Sequence, residues 1–106
     1  MKKICSINGI DIYFEALEED VNIDEVLSFE HTGIDHSKTI SDVKNGKLEY
    51  FCAKVIGEKN GIQLAEEYLD CCVYESQEDF IKSETFIDLK NTVANQSNNN
   101  IEKLCA

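Results

Sequence analysis

Leu48-Glu49-Tyr50-Phe51-Cys52-Ala53-Lys54-Val55-Ile56-Gly57-Glu58, then Asn60-Gly61, then Ile62-Gln63-Leu64-Ala65-Glu66-Glu67-Tyr68-Leu69-Asp70-Cys71-Cys72-Val73 decide the fold. Two runs rich in β-formers flank an Asn-Gly pair, the composition of a two-residue hairpin turn in which both central residues need positive φ. A register set by that turn predicts Cys52 opposite Leu69, Ile56 opposite Ala65, Tyr50 opposite Cys71 and Lys54 opposite Glu67. The other face then carries Phe51, Ala53, Val55, Leu64 and Tyr68, with Glu49, Glu66 and Asp70 among them. Alternation that agrees across both runs is a strand signal.

Upstream, Asn8-Gly9 repeats the device on a smaller scale, joining Lys3–Ile7 to Ile10–Ala16. Turn-set pairing puts Cys5 opposite Ile12 and Lys3 opposite Phe14. Ile7, Ile10, Ile12 and Phe14 share one face; Asp11, Tyr13 and Glu15 share the other. Downstream, Ser76 begins a short helix with Glu78 and Asp79 in its first turn. Thr85 is the expected cap of a longer helix to about Leu104, with Phe86, Leu89, Val93, Ile101 and Leu104 as its apolar stripe and Ser97 as a small member. Asn98-Asn99-Asn100 predicts a kink, because asparagine is a poor helix former. Between the hairpins, Ile23, Val26, Leu27 and Phe29 suit a short helix or strand, and Ser37–Asn45, ended by Gly46, suits another short helix. The expectation is one acidic α+β domain over residues 1–106: an antiparallel sheet of two or more hairpins, covered on one face by a C-terminal helix.

Composition narrows the function. Hydrophobic residues make up 42% of the chain, too many for a disordered tail. No apolar run approaches the roughly 20 residues of a membrane helix, and the start, Met1-Lys2-Lys3-Ile4-Cys5-Ser6, does not resemble a signal peptide. The expected location is the cytoplasm. Five cysteines, an odd number without a C-x-x-C pair, suit free thiols in a reducing compartment. Adjacent Cys71 and Cys72 on a strand would point to opposite faces, so no metal site is expected there.

Net charge is −11, and every one of the ten bases is lysine. A chain without arginine lacks the best bidentate phosphate ligand, and an acidic chain repels nucleic acid. The charge is also blocked. From Ile4 to Ser37 there is no lysine but nine acids: Asp11, Glu15, Glu18, Glu19, Asp20, Asp24, Glu25, Glu30 and Asp35. From Asn60 to Ile81 there is again no lysine, with six acids: Glu66, Glu67, Asp70, Glu75, Glu78 and Asp79. Concentrated charge of one sign strains a compact fold and attracts basic partners. Glu15, Glu18, Glu19, Asp20, Asp24, Glu25, Glu66, Glu67, Asp70 and Glu75 are therefore the expected partner-binding residues. The bland alternative is an acidic surface that serves solubility alone.

Catalytic chemistry finds little support. His31 and His36 stand five apart, off the spacing by which a helix aligns two metal ligands. Asp35, Ser37 and Ser41 nearby complete a Ser/His/Asp set only by composition. The chain has no phosphate-binding glycine loop, no dinucleotide fingerprint and no calcium-loop spacing. No catalytic residue, metal or cofactor is expected.

The segments Leu48–Val55, Gly61–Tyr74 and Glu78-Asp79-Phe80 resemble small proteins of phages and prophages, over roughly Leu48 to Asp88. In size, acidity and lack of enzymatic motifs the chain resembles phage-encoded anti-CRISPR inhibitors. The resemblance implies a stoichiometric inhibitor, acting in the host cytoplasm, that covers the DNA-binding lysines of a CRISPR surveillance complex. It assigns no residue a role. An immunity protein or antitoxin that neutralises a basic nuclease is the alternative. Either way the expected partner is a protein with a basic surface, such as a nucleic-acid-binding complex, rather than nucleic acid or a membrane.

Overall fold

Both Asn-Gly pairs turn as their chemistry requires. In the computed structural model, which describes residues 1–105 apart from the side chains of Phe29, His31 and Cys105, Asn8 and Gly9 have φ of 51° and 82°. Asn60 and Gly61 have 54° and 78°. These values suit a type I′ turn, whose twist matches that of the flanking strands. The first turn joins β1 (Lys2–Ile7) to β2 (Ile10–Leu17), and the second joins β3 (Glu49–Lys59) to β4 (Ile62–Tyr74). The four strands form one antiparallel sheet in the order β1-β2-β3-β4. Short helices α1 (Ile23–Val26), α2 (Phe29–Thr32) and α3 (Ser37–Lys44) fill the β2–β3 connection, and α4 (Gln77–Ile81) and α5 (Glu84–Cys105) follow the sheet. The predicted α+β class is the observed one: α5 packs on one face of the sheet.

Register departs from the turn-set expectation at three bulges. In the first hairpin Cys5 does pair with Ile12, but a bulge between Lys3 and Cys5 moves Lys3 opposite Tyr13 and Lys2 opposite Phe14. Ile4 and Cys5, neighbours in sequence, both pack against the core, which regular alternation forbids and a bulge permits. In the second hairpin only Lys59–Ile62 and Glu58–Gln63 keep the predicted register. Leu64 and Ala65 then both turn to the core, and the slip pairs Gly57 with Ala65, Ile56 with Glu66, Lys54 with Tyr68 and Ala53 with Leu69. None of the four predicted long-range pairs forms. A further bulge at Asp70 and Cys71, where Cys71 has φ of 58°, restores Cys72 to the core side opposite Phe51. A slip of one residue exchanges the faces of a strand. The helix covers Phe51, Ala53 and Val55, and the slip moves Glu66 and Tyr68, predicted beside them, to the opposite face.

The core between sheet and helix is aromatic. Phe80 of α4 lies between Phe14, Phe51, Tyr74 and Phe86, with ring centroids 4.9–5.6 Å apart and mostly edge-on, the favoured aromatic geometry. Ile10, Ile12, Val55, Val93 and Ala94 complete it. Ser76 caps α4 as expected, accepting from the Asp79 N–H at 3.1 Å. The cap of α5 is Ser83 rather than Thr85: its Oγ accepts from the Phe86 N–H at 3.2 Å. The helix runs unbroken through Asn98–Asn100. Tertiary contacts override the poor propensity there, with Ser97 buried and Asn100 donating to the Leu64 carbonyl at 2.5 Å. Leu104, expected in the stripe, is 75% exposed because the helix has by then run past the sheet.

Gly57 allows α5 its closest approach. A Cβ built there would collide with Ser97 Oγ and lie 3.0 Å from Val93 Cγ1. The molecule measures 51 × 24 × 22 Å, and its radius of gyration of 16.2 Å exceeds the ~13 Å of a spherical domain of this length. It is a rod with a helix along one side of its sheet.

Candidate functional site

The long helix α5 packs on one side of the sheet, and carboxylates gather on the other. Pairing places Lys3, Asp11, Tyr13, Glu15 and Leu17 on this face together with Cys52, Lys54, Ile56, Glu58, Glu66 and Tyr68. Asp11 stands directly opposite Glu58, a like-charge pair that sheets ordinarily avoid. Lys3 answers Asp11 at 3.1 Å, and Lys54 lies opposite Glu15 with its ammonium 5.8 Å above the Tyr68 ring. The Ser6 hydroxyl, 2.6 Å away, and Lys3 hold the Asp11 carboxyl below the usual carboxylate range.

The expected partner-binding residues divide. Glu15 is half-buried, while Glu18, Asp20, Glu25, Glu66 and Glu75 are exposed. Asp24 is engaged by Lys44 at 2.8 Å, an ion pair that ties α3 to α1. Glu67 is a correction. The β4 bulge turns it to the helix side opposite Val55, where it accepts from Gln96 Nε2 at 2.9 Å, so it does not belong to the open face. Asp11 and Glu58 were missed, and they extend the acidic face toward the hairpin turns; strand pairing, which brings β2 beside β3, was the missing information.

Glu19 and Asp70, one from each lysine-free block, meet at Cys52. One ligand atom from each of the three lies within 4.8 Å of the others. The Cys52 thiol donates to Asp70 Oδ1 at 3.3 Å, and Glu19 Oε2 accepts from the Cys71 N–H at 2.8 Å. Tyr50 borders the cluster, its hydroxyl donating to the Val21 carbonyl at 2.7 Å and lying 3.5 Å from Cys71 Sγ. Among the described residues no lysine lies within 4 Å of Glu19 or Asp70. Burial, then the bond to Asp70, pushes the Cys52 thiol up to about 11. Burial also raises Cys72 to about 11, and it raises Tyr50 further.

Asp35 Oδ1 accepts from both the N–H and the hydroxyl of Ser37, at 3.0 and 2.5 Å. Those bonds hold the Asp35 carboxyl below its ordinary range. The His31 side chain lies outside the described residues. Cys5, Cys52, Cys71 and Cys72 are free thiols, and the Cys105 side chain also lies outside the described residues. Among the described residues no helix is long and apolar enough to cross a membrane. Compared with protein-family models, curated proteins and solved structures, the chain matches none of them.

Proposed function

We propose that this protein is a stoichiometric, non-catalytic inhibitor that docks its acidic sheet face on the basic nucleic-acid-binding surface of another protein. The observation that supports the reading is the segregation of charge. Carboxylates of both lysine-free blocks share the face opposite α5, where among the described strand residues the cations are Lys3 and Lys54, and Lys3 is already engaged by Asp11. A cleft of lysine and arginine built for a phosphate backbone accepts carboxylates by the same electrostatics. The rod is 51 Å long, the axial length of about 15 nucleotide steps at ~3.4 Å each. The resemblance to anti-CRISPR inhibitors makes a CRISPR surveillance complex the first partner to test.

Competition is the deciding experiment. A surveillance complex is loaded with labelled target DNA and titrated with this protein. The expected result is mutually exclusive binding whose affinity falls as salt rises. Paired reversals Glu18→Lys with Asp20→Lys, or Glu15→Lys with Glu66→Lys, should slow association about tenfold or more at low salt while leaving the melting temperature close to the parent's. A ternary complex holding DNA and protein together would refute mimicry of nucleic acid. Parent-like binding by both variants across salt would reduce the acidic face to a solubility feature.

A further inference from the structure

We infer that Glu19, Cys52 and Asp70 form a binding site for a divalent transition-metal ion of the zinc class. Three donors from three segments converge: Glu19 from the stretch after β2, Cys52 from the first half of β3, and Asp70 from the bulge of β4, with their ligand atoms within 4.8 Å of one another. That spacing suits one ion, since zinc bonds sulfur at about 2.3 Å and carboxylate oxygen at about 2.0–2.2 Å. The set is not a chance crowd of surface acids, because its centre is a thiol only 8% exposed and pointed at a carboxylate. Two carboxylates brought together without a lysine at hand repel each other, and a bound cation reverses that cost.

Donor chemistry selects the metal. Calcium and magnesium take oxygen ligands throughout, whereas a thiolate beside two carboxylates suits the borderline-soft zinc class. Three protein ligands leave a fourth tetrahedral position open to water. Binding deprotonates the Cys52 thiol, the proton passes to solvent, and the sulfur lone pair goes to the metal, so affinity rises with pH. The ion would lash the entrance of the α1–α3 segment to the sheet. Two backbone-directed contacts already set up the geometry, Cys71 N–H to Glu19 and Tyr50 hydroxyl to Val21.

The test uses the full chain, reduced and freed of metal, with zinc and cobalt(II) as probes. The expected outcome is one zinc bound per chain with proton release, a higher melting temperature, and a thiolate-to-cobalt charge-transfer band. Cys52→Ser should abolish the band. Glu19→Gln and Asp70→Asn should each weaken zinc by at least the roughly 10–100-fold that even outer-shell partners are worth. Cys5→Ser, on β1, should change nothing. Should Cys52→Ser unfold, the exposed Asp70→Asn variant decides alone, with circular dichroism confirming its fold. Absence of the band in the parent, its survival in Cys52→Ser, its loss in Cys5→Ser, or calcium bound as tightly as zinc would each overturn the site. None of these outcomes depends on whether the acidic face docks on a partner, and none of the four reversal sites used above is a proposed ligand.

Discussion

One face of this sheet is closed by a helix and the other is left to its charges, although the same strands build both. On the helix face, Ile10, Ile12, Phe14, Ala53, Val55, Phe80, Phe86 and Val93 are almost wholly removed from water. On the open face, Ile56 is just as buried, at 1% exposed, yet its neighbours across the ladder are Tyr13 and Glu66. Long amphipathic side chains cover apolar strand atoms while keeping their polar ends wet. The contrast separates two tasks: apolar burial on one side holds the fold together, and the other side is free to carry charge that contributes little to stability.

The largest test of that division is Phe80→Ala. Four aromatic rings lose their common neighbour, and unfolding free energy should fall by about 3–5 kcal/mol in urea titration. A loss below about 1 kcal/mol would mean that the aromatic cluster is not the centre of the core. Gly57→Ala comes next, at about 1–3 kcal/mol, because the added methyl meets Ser97 and Val93 where the helix lies closest to the sheet. An unchanged urea midpoint would show that α5 sits further from β3 than described.

At neutral pH the smallest effect is nil. Cys52 on the open face and Cys72 on the helix face both titrate near 11, raised from 9.0 chiefly by burial. The folded state therefore holds these protons more tightly than the unfolded chain. Their contribution is fully present below about pH 9 and is lost as pH rises toward about 11. The urea midpoint should be flat from pH 7 to 8.5 and decline above it, with a shallower decline in Cys72→Ala. An equal decline in that variant would assign the alkaline loss to other groups.

Much of the architecture is local and was legible in the residues. Asn8-Gly9 and Asn60-Gly61 specify turns through backbone sterics alone, Ser76 caps its helix, and Ser37 to Gly46 marks a short helix by composition. The α+β class follows from these elements and from the helical spacing of Phe86, Val93 and Ser97. What the sequence by itself determined was the set of elements, the turns that join them and the blocks in which charge is carried. Only the tertiary structure decided which face each β4 residue occupies. Bulges at Leu64 and at Asp70-Cys71 shift β4 against β3, and α5 packs over Gly57, contacts between distant parts of the chain. Those bulges sent Glu67 to the helix and brought Asp70 to Cys52, where Glu19 arrives from 52 positions before the Cys71 amide it accepts from. Alternation along a strand has a period of two, so a single inserted residue reverses every later assignment, and no local pattern records where the insertion is tolerated.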